Sequence, residues 1–211
     1  MEPFTGIILA GGRSLRMGVD KLWLDAGGRP LIARVAERLA GLAAEIVVVR
    51  ASPTAELPEL PGRVVEDRYP GMGPLAGLHA GLHAASTPWA FAVACDMPFL
   101  VSSLIQYLAL LRPASDAVVP YPAGRPEPLH AFYHRRCLPE IERCLAQGKR
   151  RLLAFYPAVH VRPVSPSEIA VFDPDLRSFI NINTPEEWAT AREMGGWDVT
   201  GKDTLPNLFE N

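Results

Sequence analysis

Residues Ile7–Lys21, IILAGGRSLRMGVDK, constrain this chain more than any other stretch. An apolar, β-branched run that stops at Gly11-Gly12 reads as a buried parallel strand, Thr5–Ala10. The loop beyond it carries Arg13, Arg16 and Lys21 against a single acid, Asp20. Glycines at a strand end let backbone N–H groups approach a ligand closely. Cations beside such a loop suit an anion, and a phosphate chain is the commonest candidate. The segment therefore reads as the head of an α/β nucleotide site.

The rest of the chain repeats the strand–helix alternation. Pro30 opens LIARVAERLAGLAA, where Leu31, Val35, Leu39 and Leu42 recur at helical spacing. Strands are expected at Glu45–Val49, at Val64-Val65 and at Trp89–Ala94 (WAFAVA). A helix is expected at Leu75–Ala85, between the last two. Val101–Leu111 reads as a further helix and Asp116–Val119 as a strand. The segment PEPLHAFYHRR is expected to be an edge strand, and CLPEIERCLAQG a helix ended by Gly148. Val159–Val164 reads as one more strand. Thr184 caps a helix over Thr184–Met194, with Pro185, Glu186 and Glu187 in its first turn. Parallel βαβ units of this kind imply a three-layer αβα sandwich.

The 211 residues suffice for one substantial core, expected over residues 1–195. Residues 196–211 are broken by Gly and Pro and read as a poorly ordered tail. A formal net charge of −2 argues against a general nucleic-acid binder, so any anion must be met by a local cluster. Three scattered cysteines, Cys95, Cys137 and Cys144, form neither a disulfide framework nor a zinc ribbon. They suggest a reducing compartment. The N-terminal apolar run is too short for a signal peptide or a membrane span, so a cytoplasmic location is expected and no membrane partner.

In open α/β sheets ligands bind beyond the carboxyl ends of the strands. Four polar features fall there: the Gly11–Lys21 loop, Asp67, Asp96 and the pair Asn181/Asn183. The loop is neither a Walker A motif nor a dinucleotide fingerprint, which weakens ATPase and dehydrogenase readings. Asp96 ends an apolar strand, where a carboxylate is costly unless it pairs, caps a helix or binds a cation. Magnesium held by a carboxylate and substrate phosphates fits that position. Asp67 either serves the site or pairs with Arg68. Asn181 and Asn183 alternate with Ile180 and Ile182, which puts both amides on one face of an extended segment, suited to a ribose, a phosphate or a metal-bound water, or else to turn chemistry. His79 and His83 have a metal-compatible spacing without a third ligand, which favours a partly exposed helix face. Cys95 reads as a small core residue. No nucleophile–base pair is evident, so direct displacement is expected.

The motifs LAGGRSLRMGVDK, GPLAGLHAGL, ACDMPFL and NINTPEEW, in this order, resemble those of molybdenum cofactor guanylyltransferases, over about Thr5 to Glu193. PLHAFYHRRCLPEIERCLAQGKRRL resembles that family's later region. The resemblance implies a mostly parallel Rossmann-like sheet of the nucleotidyltransferase type. It implies transfer of GMP from GTP to the terminal phosphate of molybdopterin cofactor, giving molybdopterin guanine dinucleotide and pyrophosphate, with Mg²⁺ as cofactor. Leu9, Ala10, Gly11 and Gly12 would contact the nucleotide through backbone groups, and Asp67 would help bind it. Arg16 and Lys21 would lie against its phosphates. Asp96 would hold the metal, with Asn181 and Asn183 near the reacting phosphates. Arg150 and Arg151 would receive the pterin phosphate. Proteins that donate or accept the cofactor are further expected partners. Where the family often has an asparagine after strand two, this chain has Val49-Arg50, so that contact is not carried over. Rival readings are a cytidylyltransferase on the same cofactor, a sugar-phosphate nucleotidyltransferase and a non-catalytic carrier. LAGG with GPLAG favours guanine, and Asp96 together with Lys21 favours catalysis.

Overall fold

A computed structural model describes residues 2–11, 21–50 and 56–197. Strands β1 (Thr5–Ala10), β2 (Glu45–Arg50), β3 (Arg63–Glu66) and β4 (Trp89–Ala94) alternate with helices α1 (Leu31–Ala40) and α2 (Pro74–Ala84). Then come α3 (Ser102–Leu110), β5 (Ala117–Pro120), β6 (His130–His134), α4 (Leu138–Ala146), β7 (Val161–Val164), α5 (Pro166–Ala170) and α6 (Pro185–Gly195). The seven strands form one sheet in the order β3-β2-β1-β4-β6-β5-β7. Every neighbouring pair is parallel except the two that involve β6.

The sheet is buried on both faces because its central strands carry apolar residues at successive positions. Ile8, Val48, Phe91, Val93, Val118 and Phe132 face α1 and α3. Ile7, Leu9, Val47, Val49, Ala92 and Tyr133 face α2 and α4. The αβα sandwich is therefore present. Helix α2 lies unusually close to β1. A Cβ on Gly81 would stand 2.5 Å from Ile7 Cγ2, and one on Gly77 3.2 Å from Leu9 Cδ2. Gly77 and Gly81 of GPLAGLHAGL thus serve packing against the first strand.

Three expectations change. The PEPLHAFYHRR segment yields β6, which lies inside the sheet between β4 and β5. Its polar look misleads: Ala131, Phe132 and Tyr133 are all buried, and the Tyr133 hydroxyl is satisfied by Pro128 O at 2.9 Å and Tyr156 at 2.7 Å. The edge strand on this side of the sheet is β7, where Pro163 is tolerated. His79 is buried, with Nε2 3.0 Å from Glu142 Oε1, and thereby ties α2 to α4. Gly196 ends α6 in the left-handed region, and Trp197 packs on Phe99 with ring centroids 5.2 Å apart. The remaining residues of the expected tail, 198–211, lie outside the described residues. No helix among the described residues is long and apolar enough to cross a membrane.

Candidate active site

Four strands run parallel toward one edge of the sheet, and their carboxyl ends carry Gly11, Asp67 and Asp96. Gly11 is exposed immediately after β1, while Leu9 and Ala10 are buried within it. Asp67 follows β3 and is half-buried. Its Oδ1 accepts from Tyr69 N at 2.8 Å, closing a turn on itself. It does not pair with Arg68, whose guanidinium instead lies 3.1 Å from His83 Nε2. Burial raises the Asp67 pKa, partly offset by the Tyr69 N–H and by the nearby His79. Three strand spacings separate β3 from β4, roughly 14 Å. A nucleotide of extended shape spans such a distance along the sheet edge.

Asp96 stands two residues past the end of β4 and is buried. Its Oδ2 accepts from Lys21 Nζ at 2.7 Å. The same ammonium donates to Asn183 Oδ1 at 2.9 Å. Residues 75 and 162 positions apart from Lys21 thus meet at one nitrogen. The pairing answers the cost of a buried carboxylate, since both charges keep charge-assisted partners. Ile182 N also donates to Asp96 O at 3.1 Å, so the Asn181–Asn183 segment is held against the β4 end by backbone as well.

Asn183 is fixed from the other side by helix α6. Glu187 Oε2 accepts from Asn183 N at 2.7 Å and from Thr184 N at 3.1 Å. Glu187 N in turn donates to Thr184 Oγ1 at 3.2 Å. This capping box is the expected Thr184 N-cap, and it places an amide oxygen where it meets Lys21. Asn181 behaves differently. Its Nδ2 donates to Phe179 O at 3.3 Å, so this amide is engaged by its own backbone turn rather than by the Lys21 cluster.

Two hard oxygens, from Asp96 and Asn183, already converge on one cation. That donor chemistry fits a divalent cation such as magnesium, which accepts carboxylate and amide oxygens and fills its remaining positions from phosphates and water. Among the described residues no group of three or more His, Cys, Asp or Glu is placed to hold a metal ion.

Arg150 and Arg151 are exposed, and Arg150 O accepts from Leu75 N at 3.4 Å, at the start of α2. These two cations therefore flank the GPLAG turn. At the position where Asn is not found, Arg50 pairs with Glu66 at 2.7 Å across β2 and β3. Gly12 and Arg16 lie outside the described residues.

One polar residue at this edge escaped the sequence reading. Glu127 lies in the turn before β6, and the charge of Asp96 contributes to raising its pKa, after the larger effect of burial. The only hint in sequence is an acid set between two prolines, Pro126-Glu127-Pro128, next to a strand.

Comparison with known proteins shows the family. Residues 6–161 match the MobA-like NTP transferase domain family. The chain is 38% identical to a probable molybdenum cofactor guanylyltransferase of Pelotomaculum thermopropionicum over 202 residues, covering 96% of this chain and 98% of that one. It is 40% identical to the molybdenum cofactor guanylyltransferase of Desulfosudis oleivorans over 189 residues, with coverage of 89% and 93%. Among solved structures it is similar to molybdopterin-guanine dinucleotide biosynthesis protein A from Archaeoglobus fulgidus. That match has a TM-score of 0.78 and 28% identity, covering 92% of this chain and 99% of that chain. With a mostly parallel sheet whose carboxyl edge gathers Lys21, Asp96 and Asn183, and with relatives matched over nearly their whole length, the chain belongs to the molybdenum cofactor guanylyltransferase family.

Proposed function

We propose that this chain transfers GMP from GTP to the terminal phosphate of molybdopterin cofactor, releasing pyrophosphate. The observation that carries the reading is the convergence of the Lys21 ammonium on Asp96 and Asn183 at the sheet edge. A carrier needs no such buried carboxylate–ammonium pair, whereas phosphoryl transfer needs charges placed before reaction. The names of the relatives supply the substrates.

In this reading the backbone of Leu9, Ala10, Gly11 and Gly12 borders the nucleotide, with Asp67 toward its base and ribose end. Asp96 and Asn183 hold the metal side of the phosphates, and Asn181 stands beside them. Magnesium, when bound there, neutralises charge on the phosphate oxygens. A terminal phosphate oxygen of the acceptor attacks the α-phosphorus of GTP. The bond from that phosphorus to the bridging oxygen breaks, and pyrophosphate leaves with the electron pair. Lys21 and Arg16 stabilise the charge that builds on the leaving group. Arg150 and Arg151 receive the acceptor's phosphate. The three buried free thiols agree with a reducing, cytoplasmic setting. Proteins that deliver or accept the cofactor are the partners this chemistry calls for.

The test is pyrophosphate release with each nucleoside triphosphate, with and without Mg²⁺ and the acceptor. Release is expected only with GTP, metal and acceptor together. Equal release with CTP would overturn the base assignment. Asp96→Asn preserves shape and removes the charge. It is expected to slow transfer about 100-fold or more while the protein stays folded. A folded variant of undiminished rate would remove Asp96 from the mechanism.

A further inference from the structure

The reversed direction of β6 brings its beginning, not its end, to the ligand edge of the sheet. The turn leading into it is stitched to its neighbours. Glu127 N donates to Pro120 O at 2.8 Å, at the end of β5. Ala94 N donates to Leu129 O at 3.3 Å, two residues before Asp96. Glu127 Oε1 accepts from Leu129 N at 3.1 Å. Among the described residues its other carboxylate oxygen has no hydrogen-bond or ion-pair partner.

A half-buried carboxylate with a single backbone partner is costly, and burial accordingly raises its pKa. The Leu129 N–H and the turn could be kept by a neutral side chain at lower cost. The placement suits a ligand better than it suits stability. The chemistry of the surroundings narrows which ligand. Asp96 adds negative charge. The Pro128 carbonyl, which accepts from Tyr133 Oη, and the Tyr156 hydroxyl add oxygens. This corner therefore offers hydrogen-bond acceptors.

The sheet order fixes the side. Gly11 and Asp67 follow β1 and β3, on one side of β4, while Glu127 precedes β6 on the other. With the nucleotide along the β3–β1 half, the β6 side is left for the acceptor. The ring end of a pterin presents adjacent N–H and NH₂ donors, which a carboxylate accepts. We infer that Glu127 is a specificity-determining residue that holds the N–H edge of the acceptor's pterin ring, an inference that rests on the transfer reaction proposed above.

Steady-state pyrophosphate release, with acceptor and GTP varied separately, tests it. Glu127→Ala is expected to raise the acceptor KM about tenfold or more, with the KM for GTP within twofold. Glu127→Gln keeps one accepting oxygen and the Leu129 contact, and its acceptor KM is expected between those of the parent and the Ala variant. An unchanged acceptor KM in Glu127→Ala overturns the assignment. So does a parallel rise in the KM for GTP, or a Gln variant no better than Ala. Absence of GTP-dependent release by the parent protein would instead overturn the transfer reading, and this inference with it. Normal parent turnover with an unmoved acceptor KM overturns Glu127 alone.

Discussion

His130 is a fully buried imidazole with neither ring nitrogen hydrogen-bonded, set between the rings of Phe91 and Phe179 at 4.9 and 4.8 Å. Burial pushes its pKa down to about 3. In the unfolded chain the value is about 6.5. Below that pH the unfolded chain binds a proton that the folded chain refuses. Stability is therefore full above pH 6.5 and drains as pH falls toward 3. The His130 share of that loss is about 2 kcal/mol between pH 7 and pH 5. His130→Leu is expected to remove that share, read by urea unfolding at both pH values; equal losses in variant and parent would refute it. Residues of this kind were hard to read from sequence, because His in HAFYH looks like an exposed position until both faces of β6 are seen to be covered. Lys21, Asp96 and Asn183 were legible because each sits where a strand or helix ends, and their residue types name their chemistry. For Asn181 the sequence left a ligand role and turn chemistry both open, and its amide donates to Phe179 O in a local turn.

At the scale of elements, α6 is a positioning device as much as a layer. Its capping box gives Glu187 two N–H donors, one of them from Asn183. Glu187→Ala should cost about 1 kcal/mol in stability. Transfer should fall by about tenfold, because a freed Asn183 no longer meets Lys21 in a fixed geometry. Thermal unfolding and pyrophosphate release on the same variant check the two effects; an intact rate would show that Asn183 needs no such anchor. Thr-Pro-Glu-Glu announced this cap in the sequence, since the pattern is local. The direction of β6 was not announced. Antiparallel entry depends on which strands it joins, and one of the two, β4, lies far back in the chain, where Val93 pairs with His130. For that reason Glu127 stayed hidden while Asp96 did not.

Across the whole molecule, a third cluster of Leu24, Ala26, Leu31, Phe99, Ile182, Ala191 and Trp197 joins segments that are far apart in sequence. Its members neighbour the Lys21–Asp96–Asn183 cluster: Leu24 is near Lys21 in sequence, Phe99 near Asp96, and Ile182 beside Asn183. Trp197 stacks on Phe99 with the ring planes 4° apart. Trp197→Ala is expected to cost about 2–4 kcal/mol. The melting temperature should fall by roughly 5–10 °C. A melting curve unchanged from the parent would show that the cluster does not bear on the fold. The layered architecture was legible from strand–helix alternation, whereas this cluster was not, because its members belong to loops and helix ends with no shared periodicity. The Lys21–Asp96 pair also bears on how the site is loaded. The carboxylate's counter-ion is part of the polypeptide, so under the proposed reaction a divalent cation taking the same oxygens would enter by ion exchange, displacing one positive charge with two. Its affinity would then be the difference between two pairings, and phosphates drawing the displaced ammonium toward themselves would tilt that exchange in the metal's favour. Nucleotide and metal would in this way be coupled through a single lysine.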